Sequence, residues 1–187
     1  MHPDSRPTTY RPAQRALHWL MAAVIVAAWA LGMRSGLFEG PARGEAIGLH
    51  IAVASSLLLL LPLRLVARAA LRAPPLPAAM GAAARLAAHA AHVGLYALML
   101  ALPLSGWLAV NSGGRPVKLL GLVYLPSLVA KDQALHERIE TLHVALAWVL
   151  AAVVVVHLLA ALKHHFIDRD DVLVRMIGRP AQPPFRA

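Results

Sequence analysis

The 187-residue chain contains no cysteine. That absence excludes disulfides, thiolate nucleophiles, cysteine-ligated iron–sulfur clusters and the C-x-x-C-H attachment of c-type haem. Charge is scarce too: 14% of residues are Asp, Glu, Lys or Arg, against about 25% in a soluble domain. The nine acids all lie outside the four long apolar runs. Intramembrane acids, inverted repeats and broken helices are the usual marks of a transporter. With no such acid and no visible repeat, a histidine-based proton or solute transporter is a poor fit. The net charge of +9 does not mark a nucleic-acid binder either, because the arginines cluster at the ends of apolar runs without interleaved aromatics.

What the chain has in abundance is apolar sequence, 59% of its residues. About 20 apolar residues cross a bilayer as a helix. Four runs meet that length, roughly Ala13–Met33, Ile47–Ala67, Leu86–Val110 and Thr141–Leu162. The expected fold is therefore all-α, an integral membrane four-helix bundle forming a single domain over residues 1–187. The polar stretch Met1–Gln14 leads directly into a full span, unlike a cleavable secretory signal. Pro62 lies near the end of the second run, where it should do little harm, whereas Pro103 should kink the third helix. Gly94 and Gly106 on that helix would let a neighbour or a flat cofactor approach closely.

The basic residues set the orientation. Twelve of the 18 Lys and Arg lie in the N-terminal segment, the middle loop and the C-terminal segment, which four spans place on one side. The positive-inside rule makes that side, and both termini, cytoplasmic. The middle loop Ala73–Pro77 is short and Pro-rich. The loop Asn111–Glu140 is long, and its apolar patch Val117–Ala130 could lie on the outer membrane surface. Residues 168–187 read as a basic cytoplasmic tail without a core.

Histidine carries the chemistry. His18 lies near the inner end of the first span and His50 near the outer end of the second. His143 and His157, fourteen residues apart in the fourth, are separated by about 21 Å of helical rise and only about 40° around the axis. His18 therefore shares a depth with His157, and His50 with His143. Each pair joins two helices, as a six-coordinate bis-histidine haem b requires, and such ligation suits electron transfer rather than oxygen activation. One buried histidine is more often a packed residue than a ligand; four at paired depths are harder to explain that way. The haem iron ligands read as His18 and His157 (inner) and His50 and His143 (outer), with two non-covalent haems b.

Other histidines are more ambiguous. His89 and His92, one turn apart, suit a metal site, the inner haem edge, or a quinone pocket with Tyr96; a polar face near the headgroups is the plain alternative. His136, two turns before His143, could replace it as outer ligand but sits among charged residues. His164 and His165 fit either an interfacial anchor or a quinone headgroup or haem propionate contact. Arg64 and Arg68 could meet propionates or simply anchor the helix. Trp19 and Trp107 suit the aromatic belt.

These residues carry a family resemblance. The strings R-A-L-H-W-L-M-A from Arg15, G-L-H-I-A-V-A-S from Gly48, H-A-A-H-V-G-L-Y from His89 and L-P-L-S-G-W from Leu102 occur in order. L-H-V-A-L-A around His143, H-L-L-A-A-L-K-H-H-F from His157 and D-V-L-V-R-M from Asp171 follow. Together they resemble the bacterial cytochrome b561 family, small four-helix di-haem proteins of the inner (cytoplasmic) membrane, over nearly the whole chain. The resemblance implies haem b ligation at His18, His50, His143 and His157, and electron exchange with ubiquinone. One branch is a superoxide oxidase, which passes electrons from superoxide at the outer haem to quinone; there a histidine near the quinone matches His164. Where that branch often has W-H-E-T, this chain has L-H-V-A. Membrane subunits of hydrogenases and other periplasmic dehydrogenases in the wider family often carry a fifth span, absent here, which favours a stand-alone cytochrome.

The leading expectation is a superoxide:ubiquinone oxidoreductase. Arg115, Lys118 and Lys131 would steer superoxide outside, and His164, His89 or His92 would serve quinone and its protons inside. The alternative is a quinol-coupled cytochrome b subunit serving another periplasmic redox partner.

Overall fold

The computed structural model describes residues 9–77 and 80–178. Four helical segments are long and apolar enough to cross a membrane: Pro12–Ser35, Gly40–Ala70, Ala82–Ser112 and Gln133–Phe166. Each extends past the apolar run that foretold it, because helices continue into the polar boundary until a capping residue or loop stops them. The first, α1 (Pro12–Ser35), begins at a proline whose preset backbone angle suits a first helical position. There the Arg11 amide donates to Gln14 Oε1 at 3.2 Å.

The second span is two helices, α2 (Gly40–Ser55) and α3 (Leu57–Ala70). The interruption falls at Ser56, a turn and a half before Pro62, where the sequence drew attention. Ser55 and Ser56 turn their hydroxyls back onto the carbonyls of Ala52 (3.1 Å) and Val53 (2.6 Å). Such back-bonding competes with the helical ladder and bends helices. The third span, α4 (Ala82–Ser112), runs unbroken through Pro103, so the expected kink does not interrupt the helix. The fourth, α5 (Gln133–Phe166), is capped by Asp132, whose carboxylate accepts from the Leu135 amide at 3.0 Å.

The connection between α4 and α5 keeps most of its large apolar side chains exposed, Leu120, Leu122, Val123, Tyr124 and Leu128 among them. Its apolar residues form a small hairpin of β1 (Lys118–Leu119) and β2 (Val123–Tyr124), paired antiparallel, an accessory to the all-α bundle. The turn holds Leu120 and Gly121 at φ +54° and +73°. Its tip folds down against α2, where the Leu120 amide donates to Ser55 Oγ at 2.9 Å. Ser55 lies about 7.5 Å deeper along α2 than His50. Backbone away from water needs such partners. Trp107 Nε1 donates to the Pro126 carbonyl, and Asn111 ties both arms of the loop together through Arg115 O and the Leu128 amide. Val117, Asn111 and Ser112 are buried beneath it.

At the opposite end, part of the expected tail is structured. A short helix, α6 (Val172–Ile177), turns back on α1: Trp19 Nε1 donates to Met176 O at 3.2 Å, and Arg15 donates to Ile177 O. Arg175 donates to the Pro75 carbonyl of the middle loop. The rest of that tail, residues 179–187, lies outside the described residues.

The helices pack as α1 against α2 and α3, α3 against α4, and α4 against α5. The side-chain core is small: Met21, Leu57, Leu61 and Met99, flanked by Val24, Ile25, Leu60, Leu95 and Tyr96. It belongs to α1, α3 and α4. Among the described residues, the long helix α5 contributes a single buried side chain, Leu150. It faces α1 through rings, with Trp29 and Trp148 meeting edge-on at 5.3 Å.

Candidate haem sites

Two histidine pairs bridge this loosely packed interior. His18 of α1 and His157 of α5 have ring centres 6.3 Å apart; His50 of α2 and His143 of α5 are 6.1 Å apart. A metal–imidazole bond of about 2.0 Å on each side, with roughly 1.1 Å from nitrogen to ring centre, would separate two opposed rings by about 6.2 Å. Both pairs stand close to that spacing, with their ring planes 64° and 85° apart. The pairs are the ones deduced from depth in the sequence. Trp29 and Trp148 stand between them along the bundle.

The two ends differ in what surrounds the rings. At the outer end, His50 Nδ1 lies 2.8 Å from the Ala28 carbonyl and His143 Nδ1 lies 3.0 Å from Ser105 Oγ. The Ser105 hydroxyl itself donates to Leu102 O at 3.0 Å. An Nδ1–H donated to an oxygen fixes the tautomer and leaves Nε2 free as a metal ligand. Glycine shapes the same site. A Cβ at Gly32 would come within 3.2 Å of the His50 ring, and one at Gly106 within 3.2 Å of the His143 ring. Gly106 thus has the close approach expected of it, against a histidine; a Cβ at Gly94 would meet no protein atom within 4 Å.

His136 is bonded instead to Ala109 O at 2.8 Å and abuts Gly113, with Glu140 at 3.7 Å from its Nε2. His143, not His136, is the ring opposite His50.

At the inner end, His18 Nδ1 faces the guanidinium of Arg64 at 3.1 Å. A third histidine joins here: the ring of His92 is 5.7 Å from that of His157. His89, a turn nearer the helix start, is exposed and is not drawn into the pair. Tyr96 packs on the core cluster. His164, two turns beyond His157, donates from Nδ1 to Asp170 at 2.6 Å and lies 3.3 Å from Asp168. Among the described residues, the group of three or more side chains with metal-ligand spacing is His164, Asp168 and Asp170. Lys163 Nζ already sits 2.7 Å from both Asp168 oxygens.

Sequence reasoning missed the roles of Ser105, Gly32 and Asp170. Gly32 and Ser105 carried a faint signal, each being a small residue at the depth of a histidine on a neighbouring helix.

The model for the prokaryotic cytochrome b561 family matches residues 9–179. The chain belongs to that family. It is a multi-pass bacterial membrane protein of electron transfer, and membership implies haem b as cofactor. It is 35% identical over 177 residues to cytochrome b561 homolog 2 of Escherichia coli K12, covering 92% of this chain and 93% of that protein. It is 26% identical over 170 residues to a probable superoxide oxidase, CybB, of Yersinia pestis, covering 91% and 96%. Cytochrome b561 homolog 1 of Escherichia coli K12 matches at 34% over 106 residues, 57% of each chain.

Proposed function

We propose that this cytochrome b561 holds two haems b, one between His18 and His157 and one between His50 and His143, and passes electrons from superoxide outside to ubiquinone inside. The two opposed pairs, at metal-bridging separation and at two depths, are the observation that carries the reading. A haem b ligated by two imidazoles supplies a one-electron carrier with no open coordination position. The neutral Nδ1 partners of His50 and His143 orient those rings, and the shelves at Gly32 and Gly106 set them close to the neighbouring helices. In the net reaction, two superoxide anions become two dioxygen molecules while ubiquinone gains two electrons and two protons. Arg115 and Lys131 line a cavity of about 400 Å³ at the outer end, positioned to attract the anion.

Protons come from the cytoplasmic side, where the Asp170 carboxylate holds His164 near the inner pair. His92, beside His157, is the second candidate for the quinone carbonyl. Both termini lie in the cytoplasm and the bilayer is the inner membrane, as the distribution of Arg and Lys favours. The relative at higher identity is named only as a cytochrome b561 homolog, with no donor in its name, so the second reading is a quinol-coupled cytochrome b serving another periplasmic redox partner.

Stopped-flow mixing of the oxidised holoprotein with superoxide separates these readings. Superoxide should reduce the haem absorbance, and a ubiquinone analogue should then reoxidise it. His164→Ala should keep both haems and their reduction but slow reoxidation several-fold, with His165→Ala milder because it points about 100° away. Haem that superoxide fails to reduce removes the superoxide assignment. Equal reoxidation in wild type and His164→Ala moves the quinone contact to His92.

A further inference from the structure

We infer that Arg64 makes the inner histidine pair the more oxidising of the two sites, so that the protein's own electrostatics direct electrons from the outer end to the inner end. The inference rests on the proposed haem ligands and concerns what the chain does to them.

The argument starts from the helix face. Leu57, Leu61, Arg64 and Arg68 follow at intervals of four, three and four along α3, which is one stripe of a helix. Leu57 and Leu61 are buried in the core cluster. Arg64 therefore continues the core-facing stripe instead of reaching outward to headgroups, and its guanidinium ends 3.1 Å from His18 Nδ1. A guanidinium only donates, and an imidazole that binds iron through Nε2 keeps its proton on Nδ1, so with His18 as ligand the cation acts from beside the ring as a charge and not as a hydrogen-bond partner. A helix anchored only by its basic residues would have no need to turn this one inward.

The outer pair has the opposite surroundings. His50 and His143 present Nδ1 to a carbonyl and a hydroxyl oxygen, both neutral and electron-rich. Donating to such oxygens makes an imidazole more basic and favours the higher oxidation state of the metal it binds. A cation beside the inner pair favours the lower oxidation state, because reduction removes one positive charge from its vicinity. Both effects point the same way. The cation in this partly buried position is worth on the order of tenfold in the equilibrium between the sites, or 59 mV for one electron.

The test is a spectroelectrochemical titration of the full-length holoprotein, with haem content measured alongside. Wild type should show two one-electron waves. His18→Ala should lose the higher wave and His50→Ala the lower. Arg64→Gln should bring the higher wave down by about tenfold in equilibrium constant, leaving the lower in place, and Arg64→Lys should restore it. If His18→Ala removes the lower wave, or Arg64→Gln keeps both haems with both waves unmoved, the inference is overturned. If Arg64→Gln sheds the inner haem, the order of waves in the two histidine variants decides. A wild-type protein without two haems overturns the ligand assignment itself, which is a separate failure.

Discussion

The two ends of the bundle perform one task, holding a pair of opposed imidazoles, with different materials. The outer end does it with neutral groups and space: a backbone carbonyl, a serine hydroxyl and two glycines against the rings. A folded hairpin is tied down beside it through Ser55. The inner end does it with charge: Arg64 on His18, a third ring at His92, and the Asp170–His164 pair on the adjoining turn. Neutral partners fix a ring's orientation without adding a net field, while charged ones also tune energy and handle protons. The end that meets quinone and cytoplasmic water in the proposed reaction is the one furnished with ionisable groups.

The largest effect that breaks the comparison is loss of a ligand. His50→Ala or His143→Ala should reduce the haem content from two per chain to one, leaving the inner spectrum, and His18→Ala or His157→Ala should do the converse. Pyridine haemochrome assay with protein quantitation reads this directly. Should His136→Ala, rather than His143→Ala, remove the outer haem, the register of α5 against α2 is different from the one described.

Much of this was readable from the chain. The four spans follow from apolar length, and both histidine pairs follow from the fourteen-residue spacing on α5 combined with topology. Other features were hidden for identifiable reasons. The break at Ser56 depends on hydroxyl back-bonding, which leaves no mark on hydropathy, so Pro62 drew the attention instead. The hairpin at residues 118–124 is as apolar as a surface-lying segment, and only its bond to Ser55, 65 residues distant, reveals where it goes. The six residues of α6 are too few to show a helical period, and their docking rests on Arg15 and Trp19 at the far end of the chain. Arg64 is an intermediate case: its place in the stripe below Leu57 and Leu61 was visible, but its choice of His18 over the headgroups was not.

A middle-sized effect sharpens the contrast in how rings are seated. Gly106→Val would push branched carbons into the His143 ring, since even a Cβ there meets it at 3.2 Å. Gly32→Val would do the same to His50. Overpacking of this kind costs about 1–3 kcal/mol. Both variants should lower outer haem occupancy while the inner haem stays, as seen in haem-to-protein ratio and in thermal stability of the holoprotein. Gly44→Val, at an exposed position near the start of α2 where a Cβ meets nothing within 4 Å, is the control and should bind both haems. Equal haem loss in all three variants would mean that β-branching in a helix, not contact with the rings, is responsible.

The smallest effect concerns the neutral partner of a single ring. Ser105 accepts from His143 Nδ1 and donates its own O–H to Leu102 O, a two-bond chain inside the buried face of α4. Ser105→Ala breaks that chain, at a net cost of about 0.5–1.5 kcal/mol. The cost stays low because the freed Leu102 carbonyl lies beside the ring and can take the Nδ1 proton directly. The outer haem should therefore remain bound, but its imidazole loses the orienting hydroxyl and becomes slightly less basic, so the outer wave should rise modestly in a redox titration. The inner wave should not move, and Ser105→Thr should behave as wild type because it keeps the hydroxyl. A shift of both waves would show that the two ends are coupled through α4, which packs against both α3 and α5. In that event the neutral outer end and the charged inner end are parts of one electrostatic unit rather than separately tuned sites.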